Sequence, residues 1–323
     1  MTTGSTSRCA VLDDYQGVAR ERADWPRLAG RVDVRFLDRH LPAHDDLVAE
    51  IGDCEIVVVM RERTPFPAEL FARLPKLRLL ITSGMRNASI DLAAAAAHGV
   101  TVCGTPSNSE PPAELTWALL LGLARGVVTE NGNLRSGGPW QSTLGADLHG
   151  RRLGLLGLGK IGTKVARVGA AFGMDVAAWS QNLTAQRAAD AGVTLAASKE
   201  DLLETSDFVS VHLVLSERTR GLVGAAELRR MRPTAYLVNT SRAAIVDQDA
   251  LVRALCEGWI AGAGSDVFAT EPLPLDDPLR TAPNFLGLPH LGYVTGRNYD
   301  GYFQGAVEDI EAYLADAPIR TLG

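Results

Sequence analysis

Apolar residues fall in short runs separated by mixed or polar stretches along the whole chain. In the first third, residues 9–12, the alternating 32–37, 56–59 and 77–82 predict strands. The alanine-rich stretch 93–97 between such runs favours helix. Strands alternating with helical segments predict a parallel sheet covered on both faces. Pro106, Pro111 and Pro112 interrupt the pattern and mark a domain boundary, followed by a long apolar helix over residues 113–133. The alternation then resumes, with strands predicted at 153–156, 176–179, 208–214, 235–238, 261–267 and 285–288. Asp247 is placed to cap a helix over 249–257, and a last helix is predicted over 297–314.

Residues 153–162 read Leu-Gly-Leu-Leu-Gly-Leu-Gly-Lys-Ile-Gly, which sets Gly157, Gly159 and Gly162 in GxGxxG spacing between a buried strand and a helix predicted over 163–172. The first glycine permits a tight turn, the second lets backbone approach a pyrophosphate, and the third lets helix pack on strand. The helix N-terminus, with Lys160 and Ile161, offers free N–H groups and a partial positive charge to phosphates. Strand, spacing and helix together predict a bound dinucleotide, NAD or NADP. The second strand of this domain ends in Ser180-Gln181-Asn182, without the Asp or Glu that an NAD site places against the ribose 2′-hydroxyl. That removes a repulsion against the 2′-phosphate of NADP but puts no Arg or Lys beside it. Arg187, further on, reads first as a solvated helix-surface group. The balance leans slightly to NADP.

Composition narrows the class. At 323 residues the chain is too long for one ordinary core, in keeping with two domains. A hydrophobic fraction of 46% with 22% charged residues is that of a folded globular protein. The net charge of −6 argues against nucleic acid as a partner. No run approaches the ~20 apolar residues that cross a bilayer, so no membrane partner is expected. Residues 1–8 lack the apolar core of a secretory signal, and no regulatory domain is expected after Gly323. Cys9, Cys54, Cys103 and Cys256 lie far apart without a CxxC pair, which predicts reduced, mostly buried thiols, a cytoplasmic location and no metal site.

Three residues beyond the glycine motif carry candidate chemistry. Arg242 closes Asn239-Thr240-Ser241-Arg242 after a strand, Glu271 follows Asp266-Val-Phe-Ala-Thr, and His290 lies in Leu-Pro-His-Leu-Gly. Ligands of open α/β sheets bind beyond the carboxyl ends of strands, where these residues fall. Reducing a 2-oxo acid needs a proton donor at the carbonyl oxygen, a cation for the carboxylate and a group that keeps the donor protonated. A His–Glu pair with one Arg meets those needs. The neighbouring carboxylate favours imidazolium and keeps the acid form available near neutral pH. Singly, each has a plainer reading: a structural histidine, a surface arginine, a loop glutamate.

In residues 156–162, 209–213, 238–242, 246–247, 262–268, 271–274 and 289–292 the chain resembles the D-isomer-specific 2-hydroxyacid dehydrogenase family, close to its glyoxylate/hydroxypyruvate reductase-like and phosphoglycerate dehydrogenase-like members. Ile90-Asp91 and Pro112-Ala-Glu114 match less specifically. The resemblance implies two doubly wound parallel-sheet α/β domains, the second a Rossmann dinucleotide-binding domain (105–290) inserted in the first, a substrate domain of 1–104 plus 291–323. It implies an oxidoreductase that moves hydride between NAD(P)H and C2 of a small 2-oxo or D-2-hydroxy acid. His290 would be the acid/base, Glu271 its partner, and Arg242 the ligand of the substrate's carboxylate and carbonyl. Asp266 would meet the nicotinamide carboxamide, with His212, Thr240 and Gly292 along the cofactor. Ser83-Gly84-Met85-Arg86 corresponds to the carboxylate-binding loop, and the helix from 113 with the segment through Trp140 to a homodimer interface.

The chain departs from the family pattern in places. Met85-Arg86 replaces small residues in that loop, and Arg61 and Arg63 follow the third strand, so that a second anionic group on the substrate becomes an expectation if they line the site. Val214 stands where Pro is usual, and Tyr293, beside His290, where a small residue is usual. A dinucleotide-sensing binding protein or corepressor on the same fold is the alternative, against which the full Arg–Glu–His set counts. Formate or phosphite oxidation ranks low, and phosphoglycerate oxidation stays open.

Overall fold

The computed structural model describes residues 6–323; the reading of the N-terminus rests partly on residues 1–5, which lie outside them. The chain divides into two compact units, one of residues up to Asn108 together with Thr295–Gly323, the other Ser109–Val294.

In the first unit, β1 (Ser7–Val11), β2 (Val32–Phe36), β3 (Ile56–Val59), β4 (Leu79–Thr82) and β5 (Thr101–Gly104) alternate with α1 (His44–Ile51), α2 (Ala68–Arg73) and α3 (Leu92–Ala97). The sheet runs β2-β1-β3-β4-β5, and every pair is parallel. Strand β3 is buried at all four positions, which explains why it reads as a continuous apolar run. Asp91 caps α3 by accepting from the Ala94 amide at 2.9 Å.

The second unit begins with α4 (Glu110–Ala124) and α5 (Val127–Ser136). Strands β6 (Arg152–Leu156), β7 (Asp175–Trp179), β8 (Thr194–Leu195), β9 (Phe208–Val211), β10 (Tyr236–Asn239), β11 (Gly262–Ser265) and β12 (Phe285–Gly287) follow, with α6 (Lys160–Ala171), α7 (Ala185–Asp190), α8 (Lys199–Thr205), α9 (Ala225–Arg230) and α10 (Gln248–Cys256) between them. The sheet order is β12-β11-β10-β9-β6-β7-β8, all parallel. Strand order reverses at β6, so the crevice beyond its carboxyl end is the topological switch point where such sheets bind ligands. Separate apolar cores lie on the two faces, one built on Leu202, Leu228 and Leu251, the other on Trp117, Leu120 and Val165. Burying one such leucine contributes about 1.5–3 kcal/mol. Helix α11 (Gly296–Leu314) returns to the first unit, where it buries Tyr302, Phe303 and Ile310.

Several predicted boundaries shift. The helix predicted over 113–133 is two helices, because Gly126 takes a left-handed φ of 57° and the chain turns there. Strand β9 stops at Val211 and β11 at Ser265, since the residues beyond leave the ladder: Ser265 Oγ donates to the Val267 carbonyl at 2.7 Å, folding that segment back. Helix α6 starts at Lys160, three residues earlier than predicted. Among the described residues no helix is long and apolar enough to cross a membrane. Cys9, Cys54 and Cys103 are buried, Cys256 is exposed, and none is paired.

Candidate active site

The glycine turn is shaped by its neighbours. Gly157 has φ 105°, and a Cβ there would stand 2.6 Å from the His212 carbonyl oxygen. A Cβ on Gly162 would stand 2.3 Å from the Gly157 carbonyl oxygen, so glycine is what lets α6 seat on the turn. Around Gly159 nothing lies within 4 Å of such an atom. No side chain caps α6, whose first amides therefore remain directed out of its N-terminus. This open, uncapped cradle fits the pyrophosphate of a dinucleotide. The Gly157 amide donates to the Trp179 carbonyl at 2.8 Å and ties the turn to the end of β7, where Ser180, Gln181 and Asn182 follow.

His212 lies at the end of β9 under the turn. Its Nε2 is 2.9 Å from Ser210 Oγ, and its Nδ1 is buried with no hydrogen-bond partner among the described residues. Burial pushes its pKa down to about 4, so the ring is neutral near pH 7. Thr240, at the end of β10, is 2.8 Å from Thr116 Oγ1. Thr116 spends its one proton on the Pro112 carbonyl, also at 2.8 Å, which makes Thr240 the donor in that pair.

The acid/base candidates lie past the carboxyl ends of β10, β11 and β12. His290 Nδ1 is 2.6 Å from Glu271 Oε2, while Glu271 Oε1 accepts from the Phe268 amide at 2.8 Å. The carboxylate is thus fixed by backbone on one oxygen and holds the imidazole with the other. With Nδ1 as the donor, Nε2 is the nitrogen left to exchange a proton. His290 itself has φ 53°, in the left-handed region that non-glycine residues adopt uncommonly. Asp266 holds the peptides that follow: Oδ1 accepts from Leu291 N and Oδ2 from Gly292 N, each at 2.7 Å. Burial pushes the Asp266 pKa up to about 6 against the pull of these amides and of His290. The Tyr293 ring meets the His290 ring edge-on, with centroids 5.3 Å apart.

Arg242 is placed by Asn239, whose side chain receives the Ser241 amide and donates to the Arg242 carbonyl, both at 3.0 Å. The Asp266 amide in turn donates to the Asn239 carbonyl at 3.0 Å, linking the Arg242 turn to the residue that holds His290. In the first unit, Arg61 (φ 55°) donates through Nη1 to the Ser83 carbonyl at 3.2 Å, and its guanidinium lies against Gly84. The Gly84 amide donates to Thr105 Oγ1 at 3.1 Å, and Met85 is exposed. Arg63 instead donates to the Asp13 carbonyl at 2.7 Å and stacks over Tyr15, a structural placement.

The structure therefore joins His290, Glu271, Asp266 and Gly292 in one cluster, His212 to the glycine turn, and Arg61 to Ser83 and Gly84. Sequence reasoning missed Thr116, Thr105 and Asn87, whose Nδ2 donates to the Arg61 carbonyl at 2.6 Å and fixes that left-handed residue. Each acts through a partner distant in sequence, and local pattern carries no sign of it.

Residues 117–292 match the family described as D-isomer specific 2-hydroxyacid dehydrogenase, NAD binding domain. The chain is 40% identical over 260 residues to a glyoxylate reductase of Korarchaeum cryptofilum, covering 78% of this chain and 77% of that one. It is 36% identical over 291 residues to a D-3-phosphoglycerate dehydrogenase of Mycobacterium bovis, covering 89% of this chain and 54% of that longer one. A phosphoglycerate oxidoreductase from Vibrio cholerae has a similar solved structure, with a TM-score of 0.91 at 36% identity, covering 97% of this chain and 100% of that chain.

Proposed function

The chain belongs to the D-isomer-specific 2-hydroxyacid dehydrogenase family, and from that premise we propose that it reduces a small 2-oxo acid of the glyoxylate or hydroxypyruvate class with a nicotinamide dinucleotide. The observation that carries this reading is the Glu271–His290 pair, with the peptides after His290 tied through Asp266 and Asn239 to the Arg242 turn. The bound dinucleotide supplies or takes the hydride at C2 of the substrate. Glu271 holds the proton on Nδ1, so that His290 gives the proton on Nε2 to the carbonyl oxygen as it gains charge. Arg242 binds the substrate carboxylate, and its fixed fork orients the 2-oxo group. His212, neutral because it is buried, brings no charge to the dinucleotide's surroundings and keeps Nδ1 for a hydrogen bond to it. The substrate-binding role of Arg61, Ser83, Gly84 and Met85 belongs to the first unit, with Arg61 the cation that selects a carboxylate or second anionic group.

Nicotinamide absorbance followed with NADH and NADPH separately against glyoxylate, hydroxypyruvate, pyruvate, phenylpyruvate and oxaloacetate tests the reading. Turnover is expected on at least one of the first two. Tight dinucleotide binding with no turnover on any acid would replace it with a sensor. Arg242→Ala is expected to raise KM for the acid about 10- to 100-fold, the value of a charge-assisted contact, and to lower turnover. Arg61→Ala is expected to raise KM most for acids with a second anionic group; equal effects on pyruvate and oxaloacetate would remove it from substrate selection.

The assembly we propose is a homodimer. Helix α5 and the segment after it expose Val127, Val128, Leu134, Trp140 and Leu144, an unusual concentration of apolar surface. Light scattering on the eluting protein is expected to give twice the chain mass, and Trp140→Glu to shift it toward monomer. The unpaired thiols, one of them exposed, suit a reducing cytoplasm.

A further inference from the structure

Glu271 rides on a stretch of chain that packing does little to hold. Ala269 to Asp277 form neither helix nor strand. From Ala269 to Pro278 no residue is fully buried; Leu273 lays part of its side chain on the core, and Leu279 is the first to return to it. A cavity lined by Ala243, Val246, Gln248, Ser265, Val267 and Leu279 lies between the turn that follows Arg242 and the root of this loop. Close packing therefore does not set the spacing of the two, and hydrogen bonds have to.

Gln248 supplies them on both limbs of the loop. Its Oε1 accepts from the Ala269 amide at 3.1 Å, ahead of Glu271, and its Nε2 donates to Asp277 Oδ2 at 3.0 Å, behind it. The carboxamide can face only one way, since the N–H needs its oxygen and the carboxylate its NH₂. Asp277 Oδ1 in turn accepts from the Leu279 amide at 2.9 Å, where the chain re-enters the core. The loop is tied further within itself, by Arg280 donating to the Leu273 and Pro274 carbonyls, both at 2.6 Å. Gln248, by contrast, stands on the body of the unit. It is the first residue of α10, whose start is capped by Asp247 accepting from the Ala250 amide at 3.0 Å and which buries Leu251 and Leu255. The chain reaches it from Arg242 through a short turn of 3-10 helix (Ala243–Ile245).

Resting on the acid/base reading of His290 and Glu271, we propose that Gln248 is a positioning residue for the reaction. It clamps both limbs of the Glu271 loop to the segment that carries Arg242, and so sets the proton-donating pair at a fixed place relative to the substrate-binding cation. A misplacement of about 1 Å at reacting groups costs up to about 10²-fold in rate. Arg242 is placed separately by Asn239, so loosening the loop leaves carboxylate binding as it was.

The test reads kcat and KM on whichever of glyoxylate and hydroxypyruvate the wild-type protein reduces, with dinucleotide affinity from a fluorescence titration. Gln248→Ala is expected to lower kcat about 10- to 100-fold, while KM for the acid and dinucleotide affinity stay nearly unchanged. Gln248→Glu keeps an acceptor for the Ala269 amide but sets a carboxylate against Asp277, and is expected to lose as much. Adding Asp277→Asn to Gln248→Glu reverses the polarity of the pair: the introduced carboxamide donates to the introduced carboxylate and still accepts from the Leu279 amide. The double variant is expected to recover most of the lost kcat, a rescue that two independent losses of stability would not give. Single variants with wild-type kcat, a loss that falls on KM for the acid instead, or a double variant no better than Gln248→Glu would each overturn the proposal while the reductase reading stands. A wild-type protein that turns over neither acid would overturn that reading and the proposal with it.

Discussion

Replacing His290 with Gln is expected to lower kcat about 10²- to 10⁴-fold, the usual contribution of a positioned acid/base, while dinucleotide affinity stays nearly unchanged. Gln keeps a hydrogen-bonding amide of similar reach toward Glu271 but has no titrating proton to give. The glycine turn and His212 lie on β6 and β9, whereas His290 lies past β12, three strands away from β9 in the sheet order. Removing the imidazole therefore leaves the cradle for the pyrophosphate as it was. Single-turnover rates together with a fluorescence titration of the dinucleotide separate the two effects. Loss of dinucleotide binding in this variant would make His290 a structural residue and withdraw its catalytic assignment.

How much of this was legible in the sequence depends on the range of the interaction. Strands such as 56–59 and 153–156 were readable because burial on both faces makes them apolar at every position. The glycine turn was readable because close approaches at Gly157 and Gly162 force glycine there, at the fixed spacing that leaves Gly159 open between them. The break at Gly126 was not, since one glycine in an apolar run is compatible with a continuous helix and only the fold around it calls for the left-handed turn. Asp266 was marked for the cofactor by resemblance. That it holds the peptides after His290 follows from partners 25 and 26 residues away, which no local pattern records.

That hold carries the second large expectation. Asp266→Asn is expected to lower kcat about 10²- to 10³-fold with the protein still folded. The carboxylate accepts two amides with two oxygens, whereas the carboxamide must turn its NH₂ toward one of them, donor against donor. Losing one charge-assisted bond costs about 1.5–3 kcal/mol. The left-handed backbone at His290 stores about 1–3 kcal/mol that these bonds hold in place, so its release moves the imidazole off the substrate. The pH dependence distinguishes this from a general loss of stability. A loss of activity as pH falls through about 6 is the signature of Asp266, whose protonation frees one amide in the wild-type protein. The variant is expected to lack that limb. Folding stability should move the other way. The folded pKa of about 6 lies above the ordinary 3.8, so the contribution of this group is fully present below the lower value and is lost as pH rises through the higher one. Between these values wild-type activity therefore climbs while the melting temperature, taken relative to Asp266→Asn, declines. Activity and relative stability rising together would show that Asp266 acts on the fold as a whole and not on the His290 backbone.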